Sequence, residues 1–340
     1  MFLGCAYRRR TGACTCNNPP IGCVRDVPAS APGGGLSFPK GVTSYRELRL
    51  ASQAAPQATA PPRPPPPDPA PRPAGFLPFE LPVGGAHRLP TVGWRCTAGD
   101  AVAAAHAGVR LLHADGCADA ETALGALTRA EGVVFSTSVA ASPLEQLVPA
   151  VEAACTRMGH VDALLLRWTS DGEASGLEDA YAVAAERATQ LGVRHVGLQC
   201  ERCAAAPRCL SRLLAASHRP ALLALALHPA SGKYQRALLG ACRRAGVRVI
   251  ALSPTDATLA ATPELAAAAA TRSCAPEHAA ADALLAWCVG REVIALPAAA
   301  DHGIVLEHMA AFSSSSAVLD ISKAERAALD AAGDALAVDV

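Results

Sequence analysis

The sequence feature that most constrains the fold is a repeated alternation, after about residue 89, of short apolar segments with alanine-rich amphipathic segments. The apolar segments show little polar alternation, as expected for parallel strands that are covered on both faces. The pattern predicts eight strands, at Thr91–Cys96, Arg110–Asp115, Val133–Val139, Asp162–Trp168, His195–Cys200, Ala221–Leu227, Val247–Ser253 and Val293–Pro297.

Helices are predicted between these strands because apolar residues recur there with the period of one helix face. They cover Asp100–Ala107, Asp119–Ala130, Pro143–Met158, Leu177–Leu191, Arg208–His218, Lys233–Ala245, Ala279–Gly290 and Asp301–Ala311. Eight strands alternating with eight helices over about 250 residues are typical of the α/β class and of a (β/α)8 TIM barrel. A doubly wound open sheet would carry a glycine-rich first turn, whereas Cys96–Asp100 contains a single glycine. The barrel is therefore the predicted fold.

The first 75 residues differ in composition, with 15 of the 27 prolines and nine basic against three acidic residues. The proline-rich run from Pro61 to Pro69 favours an extended polyproline conformation and supplies no core. We therefore predict a disordered Pro/Arg-rich leader and linker over 1–75 and the barrel over 76–340. The basic start is compatible with a transit peptide to a mitochondrion or plastid. The other interpretation is a disordered tail on a cytoplasmic protein.

Composition argues against several classes of function. A formal net charge of zero argues against a dedicated nucleic-acid binder. The sequence has no unbroken apolar run of about 18 residues, so no membrane span is predicted. The 13 cysteines are odd in number and irregularly spaced, unlike a secreted disulfide framework. They indicate mostly buried or free thiols in a reducing compartment.

Ligand sites in such barrels lie at the C-terminal mouth of the strands, so the residues that end each strand are the candidates. The candidate ligand contacts at this mouth are His113, Arg167, Trp168 and His228. His113 and Arg167 could form an anion site, with Asp115 anchoring the same network. Alternatively, they could be substitutes whose hydrogen bonds only satisfy buried polar groups at the mouth. Trp168 could equally pack the upper barrel, and His228 could be structural.

Three cysteines follow the fifth predicted strand, at Cys200, Cys203 and Cys209. The first two are spaced like half of a metal site, and the set could form a metal or redox-thiol cluster. The sequence supplies no matching second half. Unlinked loop thiols are the alternative interpretation.

Eight short segments follow one another in an order that is known from one family of barrels. They are Leu89–Gly93, Gly108–Ala114, Val161–Trp168, Arg194–Gly197, His228–Pro229, Ala251–Pro254, Ile294–Pro297 and Leu319–Asp330. Gly108–Ala114 resembles the segment Gly-Tyr-Arg-His-Ile-Asp-Thr of the aldo-keto reductases, and Val161–Trp168 is similar to their strand Asp-Leu-Tyr-Leu-Ile-His-Trp. The resemblance extends over about residues 79–333, and it implies the barrel of that family.

The resemblance implies NADPH-dependent carbonyl reduction, in which a tyrosine donates a proton and an aspartate, a lysine and a histidine support it. Carried over position by position, the aspartate place is His113 and the tyrosine place is Ala118. The lysine place is Val139 and the histidine place is Arg167. All four residues differ, so we expect no catalytic residue and doubt that the chain is an enzyme.

The cofactor positions implied by the resemblance are altered as well. Gln199 and Ser253 keep polar groups at nicotinamide-binding positions and are the candidates for cofactor binding. Ala298, Ala299 and Ile304 stand where the family binds the 2′-phosphate of NADPH, and they offer no charge-assisted hydrogen bond. No cofactor is therefore expected, and NADPH is the one that the resemblance would imply.

Two functions are consistent with this sequence. The first is an aldo-keto reductase-like barrel that has lost carbonyl reduction and serves an unidentified protein partner as a binding, regulatory or structural subunit. The alternative is a divergent NAD(P)H-dependent oxidoreductase that acts on a small carbonyl compound. In that case His113, Asp115 and Tyr234 are the residues that would assist.

Overall fold

A computed structural model describes residues 80–83, 87–127, 133–169, 176–200, 205–231, 233–255, 263–270, 279–297 and 321–336. The leader and linker predicted at 1–75 lie outside these residues, as does the helix predicted at Asp301–Ala311. All further structural statements concern the described part of the chain.

Its strands are short and follow the predicted apolar segments. They are β1 (Glu80–Pro82), β2 (Arg88–Pro90), β3 (Trp94–Arg95), β4 (Leu111–His113), β5 (Val134–Ala140), β6 (Ala163–Trp168), β7 (His195–Cys200), β8 (Leu222–Leu225), β9 (Arg248–Leu252) and β10 (Ile294–Leu296). All eight predicted strands are confirmed, and most are a few residues shorter than predicted because the ends of the apolar segments belong to loops. The hairpin β1–β2 was not predicted.

The helices alternate with the strands. They are α1 (Ala101–His106), α2 (Ala118–Leu127), α3 (Leu147–Met158), α4 (Leu177–Gln190), α5 (Ala206–Ala215), α6 (Lys233–Ala245), α7 (Pro263–Ala269), α8 (Ala279–Gly290) and α9 (Lys323–Leu336). The short α7 was not predicted. Within the described residues, no helix combines the length and the apolar character that crossing a membrane requires.

Strands β3 to β10 form one parallel sheet in which neighbours in the chain are neighbours in space. The two edges of this sheet meet, because the Gly93 N–H donates to the Ala295 carbonyl at 2.9 Å and the Ala295 N–H donates to the Thr91 carbonyl at 2.7 Å. Val92 and Ala295 form the parallel bridge between these segments. The sheet is thus closed, and the predicted (β/α)8 barrel is confirmed.

Alternate residues of each strand face either the barrel interior or the surrounding helices. In β6, Leu165 packs in a cluster with Leu111 and Leu222 of other strands, which only the barrel interior can bring together. Leu164 and Leu166 pack instead in the larger core between the sheet and the helices. This alternation determines which side chains reach the mouth.

The hairpin β1–β2 closes the N-terminal end of the barrel. Val83 and Leu89 are buried and belong to the interior cluster, together with residues near the starts of several barrel strands. Arg248, the first residue of β9, donates from Nε to the Pro82 carbonyl at 2.7 Å. The hairpin therefore leaves the opposite, C-terminal end as the ligand-accessible one.

Gly197 on β7 provides a test of packing inside the barrel. A Cβ at this position would lie 2.6 Å from the Leu222 Cβ and 2.7 Å from the Leu222 carbonyl oxygen. We expect Gly197→Ala to lower the free energy of unfolding by about 1–3 kcal/mol, because the rigid strand β8 must move. Urea unfolding measures the difference. Gly99→Ala is the control, since a Cβ there meets nothing within 4 Å, and an equal loss in both variants would contradict this packing.

Candidate functional site at the barrel mouth

Strand alternation places five polar side chains at the C-terminal end of the barrel interior. Trp94, Val139 and Trp168 pack toward the helices. Because successive residues of a strand face opposite sides, the residue beside each of them points into the barrel. Those inward residues are Arg95 of β3, His113 of β4, Ser138 of β5, Arg167 of β6 and Gln199 of β7. Arg167 and Gln199 are also register partners in the parallel ladder and lie side by side.

Asp115 joins this group through a tight turn after β4. Asp115 and Gly116 have φ values of 50° and 75°, and the Cys117 N–H donates to the Ala114 carbonyl at 2.9 Å. An Asp-Gly pair with two positive φ angles is characteristic of a type I′ turn. A Cβ on Gly116 would lie 2.7 Å from the Ser138 carbonyl oxygen. Only glycine therefore allows this turn to pack so closely on β5.

A second set of contacts holds the turn from its outer side. The Gly116 N–H donates to Thr137 Oγ1 at 3.2 Å, and Thr137 Oγ1 donates to Glu121 Oε1 at 2.6 Å. Arg157 donates from Nε to the other oxygen of Glu121 at 2.7 Å. Glu121 is buried, and its charge is compensated by Arg157. The position of Asp115 is thus fixed by β5, α2 and α3 together.

One oxygen of the Asp115 carboxylate, Oδ2, forms an ion pair with Arg95. The same guanidinium donates from Nη1 to Ser253 Oγ at 2.7 Å. Ser253 follows β9 and has a φ of 51°. Arg95 thereby connects the first barrel strand to the loop after β9, across the place where the barrel closes.

The other oxygen, Oδ1, faces four side-chain nitrogens and oxygens at the long end of hydrogen-bond range. It lies 3.3 Å from Ser138 Oγ, 3.4 Å from His113 Nε2, 3.4 Å from Arg167 Nη2 and 3.5 Å from Gln199 Nε2. Asp115 therefore contacts all the inward-facing polar side chains of the mouth. We call the six residues Arg95, His113, Asp115, Ser138, Arg167 and Gln199 the mouth cluster.

Arg167 is held in place mainly by one of its terminal nitrogens. Nη2 donates to the Asp115 carbonyl at 2.6 Å and to Ser138 Oγ at 2.7 Å. Its Nε is buried and has no hydrogen-bond partner. The guanidinium is therefore oriented by the turn and by β5, while one of its donors is unused.

His113 lies below the other members of the mouth cluster. Its side chain is 0% exposed, and Nδ1 lies 3.0 Å from Ser136 Oγ, one layer deeper in the barrel. Full burial prevents the imidazole from contacting a ligand while Asp115 keeps its place. His113 therefore supports the Asp115 carboxylate from inside the barrel.

The surroundings of Asp115 shift its pKa downward. Burial by itself raises the pKa of this carboxyl, but the nearby His113 imidazole and the guanidinium of Arg95 outweigh burial, and the pKa lies well below its ordinary value. Asp115 is therefore a carboxylate at neutral pH and is unable to serve as a proton donor.

The positions carried over from the resemblance lie in different environments. Ala118 is the first residue of α2 and is exposed, and Val139 is buried in the core between the sheet and the helices. Ser138, the neighbour of Val139, is the β5 residue that points into the mouth. Of the four carried-over positions, His113 and Arg167 belong to the mouth cluster.

The remaining candidates from the sequence are dispersed. Trp168 is buried in the core between the sheet and the helices, whereas His228 follows β8 and is half-buried. Tyr234 lies in the first turn of α6, and its side chain is not described. Gln199 and Ser253, the candidates for cofactor binding, both contact members of the mouth cluster. The 2′-phosphate positions Ala298, Ala299 and Ile304 lie outside the described residues.

Cys200 and Cys209 form a buried thiol pair beside the mouth. Cys200 ends β7 and Cys209 lies on α5. A hydrogen bond from Cys200 lowers the pKa of the Cys209 thiol to about 7, although burial opposes this shift. Cys203 lies outside the described residues, and among the described residues no group of three or more His, Cys, Asp or Glu side chains is arranged to hold a metal ion.

Sequence reasoning did not select Arg95 and Ser138 as site residues. Both lie near the C-terminal ends of predicted strands. Because alternate residues of a strand face the barrel interior, strand alternation would have placed both side chains inside the barrel. Their contacts with Asp115 depend on the turn at Asp115 and Gly116, which a strand prediction extending through Asp115 did not contain.

Several solved structures share this architecture. An aldo/keto reductase from Brucella melitensis is 18% identical, with a TM-score of 0.58 over 74% of this chain and 98% of that one. MGS-M4, an aldo-keto reductase from a Medee basin deep-sea metagenome library, is 14% identical, with a TM-score of 0.60 over 77% and 96% of the two chains. The holo form of the aldo-keto reductase AKR11C1 from Bacillus halodurans is 13% identical, with a TM-score of 0.57 over 74% and 95%.

Models of protein families and the sequences of curated proteins give no match to this chain. At the identities of the solved structures, the likeness shows the fold. The chain therefore has a (β/α)8 barrel of the aldo-keto reductase type, and its activity has to be argued from its own residues.

The depressed pKa of Asp115 gives a pH-dependent test of the mouth cluster. A carboxyl whose pKa is lower in the folded state stabilises the fold above the unfolded pKa of about 3.9, and this contribution is lost as the pH falls further. At pH 7 we expect Asp115→Asn to lower the free energy of unfolding by about 1–3 kcal/mol. Between pH 7 and pH 3 the gap between wild type and variant should shrink by about 1 kcal/mol.

Urea unfolding at a series of pH values measures this gap. Asp119→Asn is the matched control, because Asp119 is an exposed carboxylate in the first turn of α2 and is four residues from Asp115. A gap for Asp115→Asn that stays constant from pH 7 to pH 3 would show that the carboxylate is not held by its charged neighbours.

Proposed function

We propose that this chain is an aldo-keto reductase-like barrel that does not reduce carbonyl compounds and that acts by binding, as a regulatory or structural subunit. The observation that carries the proposal is the mouth cluster. Where carbonyl reduction needs a proton donor and an activating amine, the mouth contains two arginines bound to one carboxylate. These groups are engaged with one another rather than directed at a reacting atom.

Proton donation is the step that this mouth supports least. The tyrosine place is Ala118, which has no ionisable group. Asp115 keeps its charge because its pKa is depressed, and His113 is fully buried beneath it. Loss of general acid catalysis costs about 10²–10⁴ in rate. An enzyme of this kind would need a donor from elsewhere.

Activation of a donor is equally unsupported. The chain contains three lysines, and the barrel strands that the structure describes contain none. Val139 at the lysine place is apolar, and Ser138 beside it carries no charge. Arg167 is a cation at the histidine place, but its guanidinium stays protonated and is unable to shuttle a proton.

The partner of such a subunit is expected to be a protein. A formal net charge of zero does not favour a nucleic acid as the partner. Barrels of one fold serve many functions, and the groups at the mouth decide which of them a chain can perform. The proposal therefore concerns the mode of action, which is binding.

The proposal is tested by carbonyl reduction with the purified full-length chain. NADPH consumption is followed with a panel of small aldehydes and ketones. We expect no consumption above the rate without protein, since neither proton donor nor activating lysine is in place. Calorimetric titration with NADPH and NADP⁺ is expected to show no binding below millimolar concentration, because Ala298 and Ala299 offer the 2′-phosphate no cation.

Robust turnover would overturn the proposal and favour the alternative, a divergent NAD(P)H-dependent oxidoreductase. In that event Tyr234→Phe removes the phenol that follows β8, and Asp115→Asn removes the carboxylate of the mouth. A rate that falls in the Tyr234→Phe chain but not in a Tyr181→Phe chain would identify the donor. Tyr181 is a suitable control because its hydroxyl is buried and donates to the Val196 carbonyl at 2.8 Å.

A further inference from the structure

The mouth cluster has the composition of a carboxylate-binding site. Two guanidiniums, a hydroxyl, a carboxamide nitrogen and an imidazole surround one carboxylate, and they come from five different strands. Guanidinium groups form bidentate, charge-assisted pairs with carboxylates, because the two planar forks match, and they also pair with phosphates. In this structure the carboxylate belongs to the chain itself.

Asp115 fills this site without fitting it closely. Its four Oδ1 contacts are 3.3–3.5 Å long, whereas charge-assisted hydrogen bonds normally measure about 2.7–2.9 Å. The side chain is short, and its backbone is fixed by the turn at Asp115 and Gly116. A free carboxylate has no such tether and could approach the donors around Oδ1 more closely.

Three buried polar atoms of the mouth cluster have no hydrogen-bond partner. They are Oε1 of Gln199, a residue that is 5% exposed, Nε of Arg167 and Nε2 of His113. Arg167 and Gln199 are register partners, so the unused donor and the unused acceptor belong to neighbouring strands at the same level of the barrel. Native proteins leave few buried polar atoms unsatisfied, so these atoms indicate a place where a ligand could supply their partners once Asp115 is displaced.

The charge of the mouth also favours an anion. Arg95 and Arg167 contribute two positive charges and Asp115 contributes one negative charge, which leaves these three groups at +1. If Asp115 turns away, the two guanidiniums are left without their anion. A second carboxylate is the group that restores the balance.

We propose that the mouth binds a small carboxylate with a hydroxyl or amino group on the adjacent carbon, in the place that the Asp115 side chain now fills. The ligand carboxylate contacts Arg95, Arg167 and Ser138, and the adjacent group donates to Gln199 Oε1. The Asp115 side chain then competes with the ligand for the same place. The apparent affinity for the ligand is reduced in proportion to the fraction of molecules in which Asp115 has left the site. The proposal rests on the proposed function, because it assigns a ligand class to a mouth that acts by binding.

The test is a calorimetric titration of the full-length chain with glycolate, comparing wild type with Asp115→Gly. Glycine suits this position because it adopts the φ of 50° without strain and leaves the carboxylate place vacant. We expect glycolate to bind Asp115→Gly at least tenfold more tightly than wild type. Asp115→Asn should fall between them, because the amide still occupies the site without its charge.

Control variants separate this site from a general charge effect. Asp119→Asn removes an exposed carboxylate from the first turn of α2 and should leave glycolate binding at the wild-type level. The double variant Asp115→Gly with Arg167→Met should lose the gain. Acetate, which lacks the hydroxyl, should bind Asp115→Gly several-fold more weakly than glycolate.

The proposal is overturned if Asp115→Gly binds glycolate no better than wild type, or if Asp119→Asn reproduces the gain. Equal binding of glycolate and acetate would overturn the role given to Gln199. If Asp115→Gly is too unstable for titration, thermal unfolding supplies the readout, and glycolate should raise its Tm more than that of Asp119→Asn. None of these measurements uses a nucleotide, so they are independent of the NADPH assay that tests the proposed function.

Discussion

Closure of the barrel between Gly93 and Ala295 is the constraint on which the rest of the structure depends. Two backbone hydrogen bonds join these segments and turn an eight-stranded sheet into a closed ring. In an open sheet Arg95 on β3 would lie at one edge and Ser253 after β9 near the other. Closure brings them within 2.7 Å of each other. Strand alternation then directs polar residues from β3 to β7 into one small space.

The mouth cluster shows how such a convergence is stabilised. Two guanidiniums without an anion would repel one another and lose solvation. The turn at Asp115 and Gly116 supplies the anion, and Thr137 and Glu121 hold that turn from outside the barrel. The same carboxylate therefore compensates the two guanidiniums and, in the site we propose, occupies the place of the ligand.

Much of this architecture could be predicted from the sequence, and the reason is periodicity. In apolar runs such as His195–Cys200 and amphipathic runs such as Lys233–Ala245, the local residue pattern determines the secondary structure. The observed bounds of these two elements equal the predicted ones. The centre of the site could not be predicted in this way. The strand prediction Arg110–Asp115 extended through the turn. The position of Asp115 depends on contacts with α2, which follows the turn, and with β5 and α3, which are about 20 or more residues away.

The interpretation of the lysine place illustrates which conclusions depend on register. Position-by-position comparison assigns it to Val139, yet strand alternation directs Val139 toward the helices and Ser138 into the mouth. A one-residue shift along β5 moves the lysine place from Val139 to Ser138, and neither residue carries an amine. The described barrel strands contain no lysine, so a shift of register along β5 supplies no amine at this place. The mouth offers two guanidiniums instead, and Arg95 and Arg167 are cations suited to holding an anion in place.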